Sequence, residues 1–197
     1  MIQGMNDLAI HSAFELKQAI MNQPEMIADF KAVADLGLPQ GCIAAGYIRN
    51  FVWDLQHGYS QNTPLHDVDV LYFDPSCLNE EVEKEYDEAL RRVRPQRNWS
   101  AKNQARMHLK NGDQPYCSVE EAMLHWPETA TAIGARLVTD GNIELIAPFG
   151  LDDLLELRVR QSPYFRDYAT FKQRVESKGW LQIWPRLRLE TDIKGGL

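Results

Sequence analysis

Eight consecutive residues, Asp67-Val68-Asp69-Val70-Leu71-Tyr72-Phe73-Asp74, constrain this chain more than any other segment. β-Branched and aromatic side chains fill the centre, which predicts a β-strand. Apolar residues at both parities predict that the strand is largely buried on both faces. Side chains alternate along a strand, so Asp67 and Asp69 project from one face. Two acids side by side repel, and burying them unpaired is costly. A hard divalent cation resolves the conflict, because magnesium takes carboxylate oxygens together with substrate phosphates. The plainer alternative is an exposed strand whose outer face carries two acids. Position favours the metal, since acids that open a buried strand sit at its mouth. Asp74, next to Pro75 at the far end, reads as a turn or cap residue.

Upstream, Cys42-Ile43-Ala44-Ala45 is a short apolar run suited to a buried strand, and Cys42 there reads as inert. Gly46 follows, and then a helical pattern from Tyr47 to His57. Glycine lets a backbone approach a ligand closely, and the first free N–H groups of a helix bind anions. Arg49, one turn into that helix, is placed for a two-pronged phosphate contact. An ordinary tight connection, with Arg49 paired to a surface acid, is the competing reading.

The remaining chain reads as alternating elements. Helices are predicted over 8–22 and 25–37, separated by Pro24 and ended by Leu38-Pro39-Gln40-Gly41. A charged helix is expected from Asn79 to Arg94 and a third strand from Trp99 to Leu109. Ser118 with Glu121 marks a short capped helix to His125. Thr131–Val138 and Asn142–Ala147 flank Asp140-Gly141 as a β-hairpin. Leu151–Arg160 reads as helical, with Asp152-Asp153 as an N-terminal pair favoured by the helix dipole. A last helix is expected from Ser162-Pro163 to Lys178, stopped by Gly179. The tail after Trp180 is expected to end loosely. This order implies an α/β core.

A chain of 197 residues, 44% hydrophobic and 25% charged, suffices for one domain with an appended piece. No apolar run approaches a membrane span, no secretory signal is readable, and three scattered cysteines suggest neither disulfides nor a zinc knuckle; a cytoplasmic protein is expected. The net charge of −7 argues against stable nucleic-acid binding. The basic group Arg91, Arg92, Arg94 and Arg97 reads first as the solvated end of a helix, with a phosphate-facing role as the alternative. Trp99, Trp126, Trp180 and Trp184 read as packing residues. His57, His66 and His108 are weighed as structural hydrogen-bonders against acid–base or orienting roles.

Taken together, Ala45-Gly46-Tyr47-Ile48-Arg49-Asn50 and Asp67-Val68-Asp69 resemble the GGxVRD…DxD signature of the polymerase-β-like nucleotidyltransferase superfamily, in its tRNA nucleotidyltransferase branch. The chain is still more similar to a bacterial family of nucleotidyltransferase-like proteins, through blocks such as Trp99–His108, Trp126–Thr131 and Ala147–Leu154. The resemblance spans roughly residues 40–160. It implies a mixed sheet flanked by helices, with a C-terminal hairpin and helical extension. In domain terms it implies a nucleotidyltransferase-like unit over 1–160 and a packed helix and tail over 161–197. It further implies that Ala45, Gly46, Arg49 and Asn50 hold an NTP, that Asp67 and Asp69 hold two divalent ions, Mg2+ (or Mn2+), which activate the acceptor hydroxyl and stabilise the departing pyrophosphate, and that a nucleotidyl group passes to a small-molecule or protein hydroxyl.

The chain departs from the signature in places. Ala45 replaces the first Gly, Asn50 replaces the Asp after Arg, the loop to Asp67 is long, and the third strand lacks the expected third carboxylate. Asn103 and His108 are its polar options. Glu144 on the hairpin is the first replacement for the missing acid and Glu128 the second. Without one, an inactive nucleotide-binding or interaction module is the alternative, and an unrelated α/β domain is a third reading.

Overall fold

Ser12 caps the first helix, α1 (Ala13–Met21), its hydroxyl accepting from the Glu15 N–H. Residues 9–190 are described by the structure, a computed structural model. Pro24 opens α2 (Pro24–Ala34), which buries Met26, Phe30 and Val33 at helical spacing. The strand β1 (Cys42–Ala44) follows, then α3 (Gly46–His57), β2 (Val68–Tyr72), α4 (Glu80–Val93) and β3 (Trp99–Asn103). After α5 (Gln104–Asn111) and α6 (Val119–Leu124), the hairpin β4 (Gly134–Leu137) and β5 (Ile143–Ile146) completes a five-stranded sheet of order β3-β2-β1-β4-β5. β2 and β3 are parallel and the other pairs antiparallel. A turn of helix α7 (Asp152–Leu155), β6 (Arg158–Val159), α8 (Tyr168–Ser177), α9 (Trp180–Ile183) and β7 (Arg188–Leu189) follow, with β6 and β7 pairing in parallel.

The two faces of the sheet differ, and this difference positions the site. Ile43, Val68, Val70, Tyr72, Trp99, Ala101, Ala135 and Ile143 point into the main core beneath the helices. Cys42, Ala44 and Leu71 point the other way, where Val119 and Met123 of α6 cover only part of the face. Burial lifts the Cys42 thiol up to about 12, so it stays protonated and unreactive. Asp69 lies on this second face, opposite Ala44 on one side and Ser100 on the other. The exposed edge of the sheet is closed by α4. Asp87 and Glu83 accept from the otherwise unpaired N–H groups of Ala101 (2.6 Å) and Asn103 (2.8 Å).

Several boundaries move from the sequence reading. The third strand stops at Asn103, and 104–111 is helical, because the Asn103 side chain caps α5 by accepting from the Ala105 N–H. The helix expected over 151–160 is one turn only; Leu157 adopts φ 60, and the chain then extends into β6. The helix expected from Ser162-Pro163 is α8, which begins at Tyr168 with Asp167 as its cap and is followed by the short α9, while the Ser162 hydroxyl donates to the Leu124 carbonyl. Helix α1 starts at Ala13; residue 8 of the expected 8–22 helix lies outside the described residues, as do tail residues 191–197. Asp74 does hold a turn, accepting from the N–H and hydroxyl of Ser76.

Candidate functional site

Ala45, Gly46, Arg49, Asn50, Asp67 and Asp69 line one cleft, at the second face of the sheet where α3 begins. Asp67 immediately precedes β2 and is exposed, whereas Asp69 is half-buried. Burial first, and the neighbouring Asp67 charge second, push the Asp69 carboxyl up to about 6, against the pull of Arg49, Arg174 and Lys102. The donor set is two oxygen-bearing carboxylates held together at a cleft wall. That chemistry fits a hard divalent ion. Among the described residues, no group of three His, Cys, Asp or Glu converges on a common ion position.

The backbone turn upstream is unusual. Ala45 sits at φ 55 and ψ −126, the first central position of a type II′ turn, where glycine normally stands. The conformational demand therefore falls on Ala45. Gly46 has ordinary φ, and a Cβ there would lie at ordinary contact distance, 3.6 Å from the Arg49 Nη2. Non-glycine residues in such regions carry strain on the order of 1–3 kcal/mol. Ala45→Gly is thus expected to raise unfolding stability by about 1 kcal/mol after the entropy cost of glycine, read as a higher urea midpoint.

Arg49 is fixed from all sides. Its guanidinium donates to Thr131 Oγ1 (2.9 Å) and Asn50 Oδ1 (2.8 Å), and lies 4.9 Å from the Trp53 ring and 4.3 Å from the Trp180 ring. Burial draws it down to about 10, opposed chiefly by Glu128, so it stays charged at neutral pH. Its Nε is buried without a partner among the described residues. Arg174 and Lys178, from α8 and its cap, line the same cleft. The lining thus brings Arg49, Arg174 and Lys178 together with Asp67 and Asp69 at the start of α3.

The remaining candidates lie elsewhere. Glu144 is three strands across the sheet, on β5, where Arg136 holds it at 2.8 and 2.9 Å. The alternation of Ile143 and Leu145 was read correctly, but the hairpin pairs with β1 through β4, so Glu144 does not reach the pair. This corrects its assignment as the third acid. Glu128 is fully buried behind Arg49, and its Oε1 accepts from Arg174 Nε at 2.7 Å; it is a counter-ion. Asn103 faces the main core side and ties Asp74 and Cys77 together. His108 lies on α5 against Ala105 O, and His57 sits between Trp53 O and the Arg186 N–H. His66 lines the cleft, exposed beside Asp67. Arg94 and Arg97 are bound to buried Asp29, which also accepts from Tyr47, so the basic patch is in part structural.

Arg174, Lys178, Trp180 and Thr131 were not anticipated in the site. The i, i+4 spacing of Arg174 and Lys178, which flank the buried Phe171 and Val175 on one side of α8, was a legible signal of a cationic edge. Asp54 is a further missed residue. It accepts from Thr63 N–H and Oγ1 and from Trp184 Nε1 (2.7, 2.6 and 2.7 Å), anchoring both the 58–66 loop and the C-terminal segment over the cleft.

The fold is that of a nucleotidyltransferase. The profile of the nucleotidyltransferase family matches residues 31–189, and the chain belongs to that family. It is 33% identical, with a TM-score of 0.81, to a protein whose NMR structure reveals a CCA-adding enzyme head domain; the match covers 96% of this chain and 100% of that one. A Thermotoga maritima CCA-adding enzyme complexed with tRNA is 15% identical with a TM-score of 0.53, over 89% of this chain and 42% of the enzyme. A CCA-adding enzyme in complex with ATP is likewise 15% identical, with a TM-score of 0.52 and the same coverage. The chain therefore spans less than half the length of these two enzymes, and their likeness concerns the fold. No curated protein matches the chain. Among the described residues no helix is long and apolar enough to cross a membrane.

Proposed function

We propose that this chain transfers a nucleotidyl group from an NTP to an acceptor hydroxyl, in a divalent-metal-dependent reaction. The observation that carries this reading is the sharing of one cleft by Asp67, Asp69, the start of α3 and the Arg49 guanidinium. Asp67 and Asp69 would hold Mg2+ or Mn2+, which when bound neutralises charge on the phosphates. The N–H groups after Ala45, with Arg49, Arg174 and Lys178, would hold the β- and γ-phosphates. The acceptor oxygen then bonds to the α-phosphorus while the bond to the β-bridging oxygen breaks. Pyrophosphate leaves with that electron pair, and the hydroxyl proton passes to water. Positioning and charge neutralisation carry such a transfer.

The net charge of −7 supports a small-molecule or protein acceptor over nucleic acid. The tRNA-bound relative makes a tRNA end the acceptor to test against. An inactive relative that binds nucleotide is the second reading, favoured by the diversion of Glu144 to Arg136 and of Glu128 to Arg174.

Thermal unfolding with Mg2+ and each NTP tests the binding, because a ligand of the native state alone raises stability. A shift of several degrees that requires both Mg2+ and NTP is expected. Pyrophosphate release in the presence of acceptors separates transfer from binding alone. No shift with any of the four NTPs would sink both readings.

A further inference from the structure

The sheet face that carries Asp69 continues onto β3, where the pairing puts Ser100 beside Asp69 and Lys102 beside Leu71. Asp69, Leu71, Lys102 and Gln104 line a second groove of about 1480 Å³, whose lining also includes Trp126 and Tyr164. Among the described residues, Asp69 alone belongs both to this groove and to the phosphate cleft. A nucleotide whose phosphates fill the cleft presents its α-phosphorus at Asp69, which leaves the groove as the approach for the acceptor.

Two carboxylates and the phosphates suffice for one divalent ion. A second ion on the attacking oxygen, as in two-metal sites, needs ligands on the acceptor side of Asp69. On that side the neighbouring strand offers Ser100 and Lys102. The Lys102 ammonium is 3.2 Å from Glu83 Oε2 with its side chain 40% exposed, so it is tethered at the groove without being buried. Its charge already acts on Asp69. Glu83 does not depend on it, since Arg106 binds the same carboxylate at two points of 2.7 Å.

Resting on the nucleotidyl-transfer reading, we propose that Lys102 takes the place of a second metal ion. One divalent ion sits on Asp67 and Asp69, and the Lys102 ammonium holds the attacking acceptor oxygen. Bond making and breaking are as described above; Lys102 supplies charge and position and does not change its covalent state.

The test is manganese binding to the full chain, followed by calorimetry and paramagnetic resonance, with α,β-methylene-ATP as the non-cleavable nucleotide. Wild type is expected to hold one Mn2+ per bound nucleotide. Ser100→Asp, which places a third carboxylate directly beside Asp69, is expected to hold two. Lys102→Met is expected to fold normally and to bind Mn2+ without nucleotide about five-fold more tightly, because a repelling charge is gone. Two ions on the wild type, or unchanged Mn2+ affinity in Lys102→Met, would overturn the role of Lys102 while leaving the nucleotidyl-transfer reading intact. Failure of wild type to bind Mn2+ and nucleotide at all would overturn both.

Discussion

Asp69→Asn is expected to stabilise the free protein while removing its metal-dependent nucleotide binding. The sign follows from the raised carboxyl. A folded-state value of about 6, against 3.8 for a free side chain, means that the folded state resists ionisation. The native protein is therefore penalised above pH 6, and the penalty disappears as pH falls through 6 towards 4. With allowance for partial exposure, Asp69→Asn should gain about 1–2 kcal/mol at pH 8 and almost nothing at pH 4. Urea unfolding at the two pH values measures this. In the same variant Mg2+-dependent NTP affinity should drop by about 100-fold or more, because one of two carboxylate ligands is gone. A variant less stable than wild type at pH 8 would mean that Asp69 serves the fold, held by the Arg49 and Arg174 charges.

Glu128→Gln is expected to do the opposite. This carboxylate is fully buried, accepts from Arg174, and is the main charge opposing the desolvation of Arg49. Its neutralisation leaves two guanidinium groups close together with their counter-charge removed, a loss of about 3 kcal/mol. Nucleotide affinity should also weaken several-fold, because Arg174 loses the carboxylate that holds it in the cleft wall and Arg49 loses its counter-charge. The contrast is diagnostic. A metal-ligating acid would behave like Asp69, stabilising the free protein when neutralised, whereas a counter-ion destabilises it. A stabilised Glu128→Gln would return Glu128 to the list of ion ligands.

Local patterns decided much of this molecule. The acids at the mouth of an apolar strand, the small-residue run before Gly46 and the periodicity of residues 47–57 are signals carried by neighbours in the chain. They gave β1, α3 and β2, because strand alternation and helical repeat depend on residues two to four apart. The family resemblance rested on the same short segments. Residues 104–111 and 151–160 were misread where a single capping or positive-φ residue, Asn103 or Leu157, changed the element. Such one-residue switches compete poorly with an apolar pattern when only the sequence is read.

What lies across the cleft was decided by the tertiary structure. Glu144 has the right residue type and parity, yet the strand order puts β1 and β4 between it and β2. Arg174 and Trp180, more than a hundred residues from Asp69, reach it only because Trp53 and Asp54 dock the C-terminal segment through Trp180 and Trp184. Lys102 comes to the face of the sheet that carries Asp69 because β3 pairs in parallel, with Ser100 opposite Asp69 and Lys102 opposite Leu71 in the register. Residue type and spacing specify which side chains can bind a metal or a phosphate. Which of them meet is fixed by strand order and by long-range packing, whose partners have no proximity in sequence.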